Sequence, residues 1–64
     1  MAAFTVLPVE TQQMLAYVVY MRGISFLAAA VDMSQSDLDN AIKGEQITEL
    51  VSARLVYWVR ERVS

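Results

Sequence analysis

The side chains that carry most biological catalysis are missing from this 64-residue chain, which has no Cys and no His. Without thiolate or imidazole there is no disulfide framework, no soft metal site and no ordinary nucleophile–base pair. An active site would have to be assembled from Ser, Asp, Glu and Tyr alone. The chain therefore reads as non-enzymatic, with no cofactor and no metal. Its informative residues are hydrogen-bonding and aromatic. Ser34-Gln35-Ser36-Asp37 has the S-x-x-D form of a helix start. In that form the hydroxyl accepts from the N–H three residues on, and the carboxylate answers back. Asp39, Asn40 and Lys43 continue the polar run. Tyr17, Tyr20, Tyr57 and Trp58 supply aromatic surface of the kind that dominates interface energetics.

Four helices are expected to position these groups, over about residues 8–22, 24–31, 35–43 and 47–62, preceded by an extended arm over residues 1–7. Pro8 suits a first helical position, and Glu10 favours the positive end of the helix dipole. Met14, Leu15, Val18 and Val19 form the buried stripe of the first helix, which Gly23 closes. Ala28, Ala29 and Ala30 favour helix in the second segment and permit close approach by another helix. Leu38, Ala41 and Ile42 face inward from the third, ended by Gly44. Ile47, Leu50, Val51, Leu55, Trp58 and Val59 describe one apolar stripe on the fourth. Val56 and Tyr57 fall off that stripe as surplus apolar surface. In the arm, Phe4 and Val6 alternate with Thr5. This segment either pairs with its twin in a dimer or frays.

Composition adds two constraints. The hydrophobic fraction is 56%, more than so small a domain can hide, since a chain of about 60 residues buries only about 60% of its unfolded surface. A second copy or another protein is expected to cover the excess, with a homodimer preferred. The interface candidates are Phe4, Tyr17, Tyr20, Val56, Tyr57 and Trp58. The net charge of −2 and pI near 4.7 argue against a broad basic face for nucleic acid. From Thr11 to Val31 only Arg22 is charged. An Arg at the centre of such a stretch opposes insertion by roughly 2.5–3.5 kcal/mol, so no membrane association is expected. The first residues carry no basic n-region of a signal peptide.

Two short helices joined by a tight turn, with small residues in the first and a capped second, make a helix-turn-helix arrangement. Ala28 permits the close crossing, Asp32 tolerates the left-handed turn, and Met33, Leu38 and Ile42 lock the angle. The run from Leu27 to Lys43 resembles the helix-turn-helix of bacteriophage Cro proteins and the wider lambda-repressor-like regulators. Gln35-Ser36, then Leu38, then Asn40-Ala41-Ile42-Lys43 looks closest to Cro. The likeness covers roughly residues 22 to 44. It implies an all-α, four-helix, lambda-repressor-like domain acting as a dimeric transcriptional regulator in the cytoplasm of a bacterial host.

In that resemblance the third helix lies in the major groove of double-stranded DNA. Gln35, Ser36, Asp39 and Asn40 face the bases, while Lys43, Arg22 and Ser34 meet phosphates. Three residues or segments depart from the family pattern. Asp32 stands where Gly is usual. The reading helix carries Asp37 and Asp39 and no Arg. The segment after Gly44 reads as a long helix where Cro has strands, so helical relatives of Cro are the better comparison. The alternative is an acidic protein-binding module, a phage- or plasmid-encoded grip on a host regulator, polymerase or enzyme. Its anchors are Tyr17, Tyr20, Tyr57 and Trp58.

Overall fold

In the structure, a computed structural model describing residues 3–63, the helices come largely where the apolar spacing puts them. They are α1 (Val9–Arg22), α2 (Ile24–Val31), α3 (Gln35–Ile42) and α4 (Glu49–Val63). Pro8 is the N-cap of α1 and not its first helical residue, and Lys43 is the C-cap of α3. The chain is mostly helical but not wholly so, because two short strands are present, β1 (Phe4–Thr5) and β2 (Ile47–Thr48).

That sheet corrects the expected arm. β1 pairs with β2 of its own chain, antiparallel, with Phe4 opposite Thr48 and Thr5 opposite Ile47. Glu49 N–H also donates to the Ala3 carbonyl at 3.0 Å. The backbone groups of Ile47 and Thr48 are therefore engaged in a ladder, and α4 begins two residues later than its apolar spacing suggests. Thr48 becomes its cap, with Oγ1 accepting from Val51 N–H at 3.3 Å. Residues 1 and 2 of the expected arm lie outside the described residues.

The core joins all four helices and the arm. Leu7, Leu15, Leu27, Leu38 and Leu55 are its largest fully buried side chains. Ala28, Val31, Ala41 and Val59 fill the space between them. Leu7 was assigned to the arm, where no helical period marks it, yet it is sealed against the bundle. Its carbonyl accepts from Gln12 Nε2 at 2.8 Å. On α1 the buried line runs through Thr11 and Leu15, with Met14, Val18 and Val19 half-buried. On α4 it runs through Ser52, Leu55 and Val59, while Leu50, expected inside, is 74% exposed.

The connections are short and specific. One residue, Gly23, separates α1 from α2 at φ 91, ψ 154, a backbone region that is essentially glycine's alone. Asp32 ends α2 in the left-handed conformation, φ 57 and ψ 51. Met33 N–H donates to the Ala28 carbonyl at 3.0 Å, and Asp32 N–H reaches back to Ala29. This reciprocal pattern satisfies carbonyls the helix itself leaves open. Arg54 of α4 adds another donor, its Nη2 lying 2.8 Å from the Val31 carbonyl. Among the described residues no helix is long and apolar enough to cross a membrane.

Candidate functional site

The polar run beginning at Ser34 folds as its pattern requires. Ser34 is extended at φ −69, ψ 152, and its Oγ accepts from Asp37 N–H at 3.1 Å. That bond closes the first turn of α3 and keeps the Asp37 carboxylate near the positive helix end. Leu38 and Ala41 are buried, so the turn of about 100° per residue puts Ser36, Asn40 and Lys43 on the opposite side. Gln35, Ser36, Asn40 and Lys43 are exposed, and Asp39 is half-exposed. Ser34, Gln35, Ser36, Asp39, Asn40 and Lys43 thus share one solvent-facing element.

Two contacts shape that face. Gln35 Nε2 donates to Ser25 Oγ at 3.0 Å, linking the start of α3 to the first turn of α2. Lys43 Nζ lies 2.7 Å from Asp39 Oδ2, one turn earlier on the same helix. The hydrogen bond and charge of Asp39 hold the lysine above its ordinary value of 10.5. The one cation of this helix is therefore matched by its own neighbour. Among the described residues Asp37 pairs with no cation, and Asp32 and Glu45 flank the helix. The α3 side of the molecule is acidic. Asp37 and Asn40 also border a depression of about 250 Å³ whose far wall contains Phe4, Ile47 and Val51.

Arg22 sits elsewhere. Its guanidinium lies 5.1 Å from the centre of the Phe26 ring, at the edge of a cleft between α1, α2 and α4. Tyr17, Val18, Met21, Phe26, Ala30 and Trp58 line that cleft, whose volume is about 380 Å³. Arg62 completes it with its guanidinium 4.6 Å from the Trp58 ring centre. No residue of α3 takes part.

The structure divides the six interface candidates in the same way. Tyr17 and Trp58 meet in this cleft. Tyr57 joins Trp58, Ala30 and Arg54 around an adjoining hollow, and its hydroxyl donates to Glu61 Oε1 at 3.1 Å. Val56 belongs to a different depression, with Pro8, Glu10, Met14 and Arg60. Phe4 stands on the small sheet, and Tyr20 is open to solvent.

Sequence reasoning assigned no site role to Ser25, Phe26 or Arg62. Only the Trp58–Arg62 pair had a legible signal, four residues apart on one helix, whereas Arg22 and Phe26 belong to α1 and α2 and meet across the break at Gly23. Ser25 had none, because its contact with Gln35 depends on how α2 crosses α3.

Comparison of the chain with protein-family models, with curated proteins and with solved structures finds no match.

Proposed function

We propose that the chain is a small sequence-specific DNA-binding regulator of Cro-like type, acting as a homodimer. In this reading α2 and α3 form a helix-turn-helix, and α3 lies in the major groove. The observation that carries it is the outward face of α3, a capped helix locked by Leu38 and Ala41 that offers Gln35, Ser36 and Asn40 to solvent. Gln35 and Asn40 have the paired donor and acceptor that match adenine N6 and N7. Ser36 suits several base edges, and Asp39 can accept from cytosine N4. Ser34 and Lys43 supply backbone contacts, whereas Arg22, the third phosphate candidate, faces the cleft between α1, α2 and α4. So few cations per subunit imply a shallow salt dependence, with affinity drawn mainly from base contacts and from joining two half-sites about 34 Å apart. The exposed Phe4, Val6 and Leu50 supply apolar surface for a second copy.

Fluorescence anisotropy with a pool of random duplexes at low salt, followed by selection of the bound sequences, tests the reading. A selected near-palindrome bound at submicromolar protein, and weakened about tenfold or more by Gln35→Ala or Asn40→Ala with helicity retained, supports it. Equal affinity for all duplexes, or none at micromolar protein, overturns it. Sedimentation must also show a dimer at the concentrations where DNA is bound.

A second reading, an acidic module that grips a host protein, is favoured by one contact. The Lys43–Asp39 pair leaves the α3 face negative overall. Protein capture by the chain that disappears in Asp37→Asn, with no DNA bound, would select it.

A further inference from the structure

We propose that the cleft between α1, α2 and α4 docks an acidic amphipathic helix of a partner protein. Apolar anchors of that helix would seat against Trp58 and Phe26, and its carboxylates would pair with Arg22 and Arg62. The proposal concerns a surface that α3 does not line, and it stands independently of DNA binding.

The floor is apolar and open. Tyr17 and Met21 are each 58% exposed and Phe26 45%, a cluster of large side chains that a monomer seldom leaves in water without use. The cleft of about 380 Å³ continues into the hollow of about 190 Å³ beside Tyr57, whose wall also carries Asp32 and Arg54, and the two share Ala30 and Trp58. Two linked depressions along one seam fit successive anchors on one face of a helix, the recurring way in which a helix enters a groove.

The rim decides the charge of the occupant. Arg22 and Arg62 each stand over an aromatic ring. Among the described residues neither pairs with a carboxylate or donates a side-chain hydrogen bond. Stacking leaves the N–H fork of a guanidinium available to a carboxylate. A symmetric contact between two copies would press four guanidinium groups together, and a head-to-tail contact onto the acidic α3 face would not close. Single-stranded nucleic acid needs cations tracking a backbone, whereas this rim has two in a chain of net charge −2. An acidic helix answers both the apolar floor and the cationic rim.

Trp58 is the only Trp, so its emission reports on the cleft directly. The probe is a Trp-free synthetic helix of about 16 residues with Leu on one face and Glu beside it. A sibling peptide replaces each Glu by Gln. A saturable blue shift with the Glu peptide, weakened about fivefold by Arg22→Gln or by Arg62→Gln, is the expected result. The Gln peptide should bind the unaltered protein at least as weakly as those variants bind the Glu peptide, which keeps the test sound should a variant misfold. Asn40→Ala should bind the Glu peptide like the parent, so a failed DNA reading and a failed docking site remain distinguishable. Equal binding of the Gln peptide, or no shift with either peptide, overturns the proposal. So does a shift produced by protein concentration alone, which would place a second copy in the cleft, or a larger shift with oligodeoxythymidylate.

Discussion

Gln35 reaches across the α2–α3 turn to Ser25, with Nε2 and Oγ 3.0 Å apart. The bond holds the first side chain of α3 in one orientation before any ligand arrives, and a preorganised group loses less entropy on binding. Ser25→Ala should therefore lower affinity for the selected duplex about threefold to tenfold, the span expected for one modest hydrogen bond. Thermal stability should barely change, because both partners are exposed. Anisotropy beside a circular dichroism melt checks this. An unchanged Kd would mean that Gln35 is positioned by DNA alone.

The Lys43–Asp39 pair makes a second, opposite prediction. Asp39→Asn removes the carboxylate 2.7 Å from Lys43 and frees the ammonium for phosphate. The slope of log K against log salt should steepen by up to about one unit per subunit, and discrimination at any cytosine that Asp39 reads should fall. A flatter slope would show that Asp39 itself makes the contact that matters.

The same pair has a pH signature. Lys43 is raised above 10.5 by its partner, so the ion pair's contribution is fully present below the ordinary lysine value. It is lost as pH climbs through the raised one. Both of those values lie above pH 9, so melting between pH 6 and 9 should not respond to the pair, and Asp39→Asn should leave that plateau flat. A difference between parent and variant that grows across that range would contradict the assignment.

Leu38 and Leu50 separate the true core from the apparent one. Leu38 is fully buried, and its truncation to Ala should cost about 2–5 kcal/mol, enough to unfold much of so small a domain. Leu50→Ala should stay within about 0.5 kcal/mol in a dilute monomeric sample. Urea unfolding measures both. A large loss at Leu50 that grows with protein concentration would instead identify it as a dimer contact.

Asp32 is the described non-glycine residue with positive φ. Asp32→Gly relieves the left-handed geometry while freeing the unfolded chain, for a net gain of about 0.5 kcal/mol. Asp32→Val should lose about 1–2 kcal/mol. If both variants melt like the parent, the α2–α3 turn is not under the stated strain.

The helices were legible because each carries its own periodic signal. Leu15, Leu27, Leu38 and Leu55 fall on apolar stripes, while Gly23, Ser34 and Gly44 punctuate them. These are interactions within a few residues, which local spacing encodes. Ala28 and Asp32 likewise marked the close crossing and the left-handed turn, since only small or tolerant residues serve there. The β1–β2 pairing was not legible, because it joins backbone groups more than forty positions apart, and the burial of Leu7 and exposure of Leu50 depend on how the elements pack. The pairing of residues 4–5 with 47–48 delays the start of α4. Tertiary structure also gathered Arg22, Phe26, Trp58 and Arg62 around one cleft, and it tied Gln35 to Ser25. Sequence alone determined which segments are helical, because that follows from spacing within a few residues. Which side chains stand together on a surface was decided by how the helices cross, and that depends on the packing of the whole core at once.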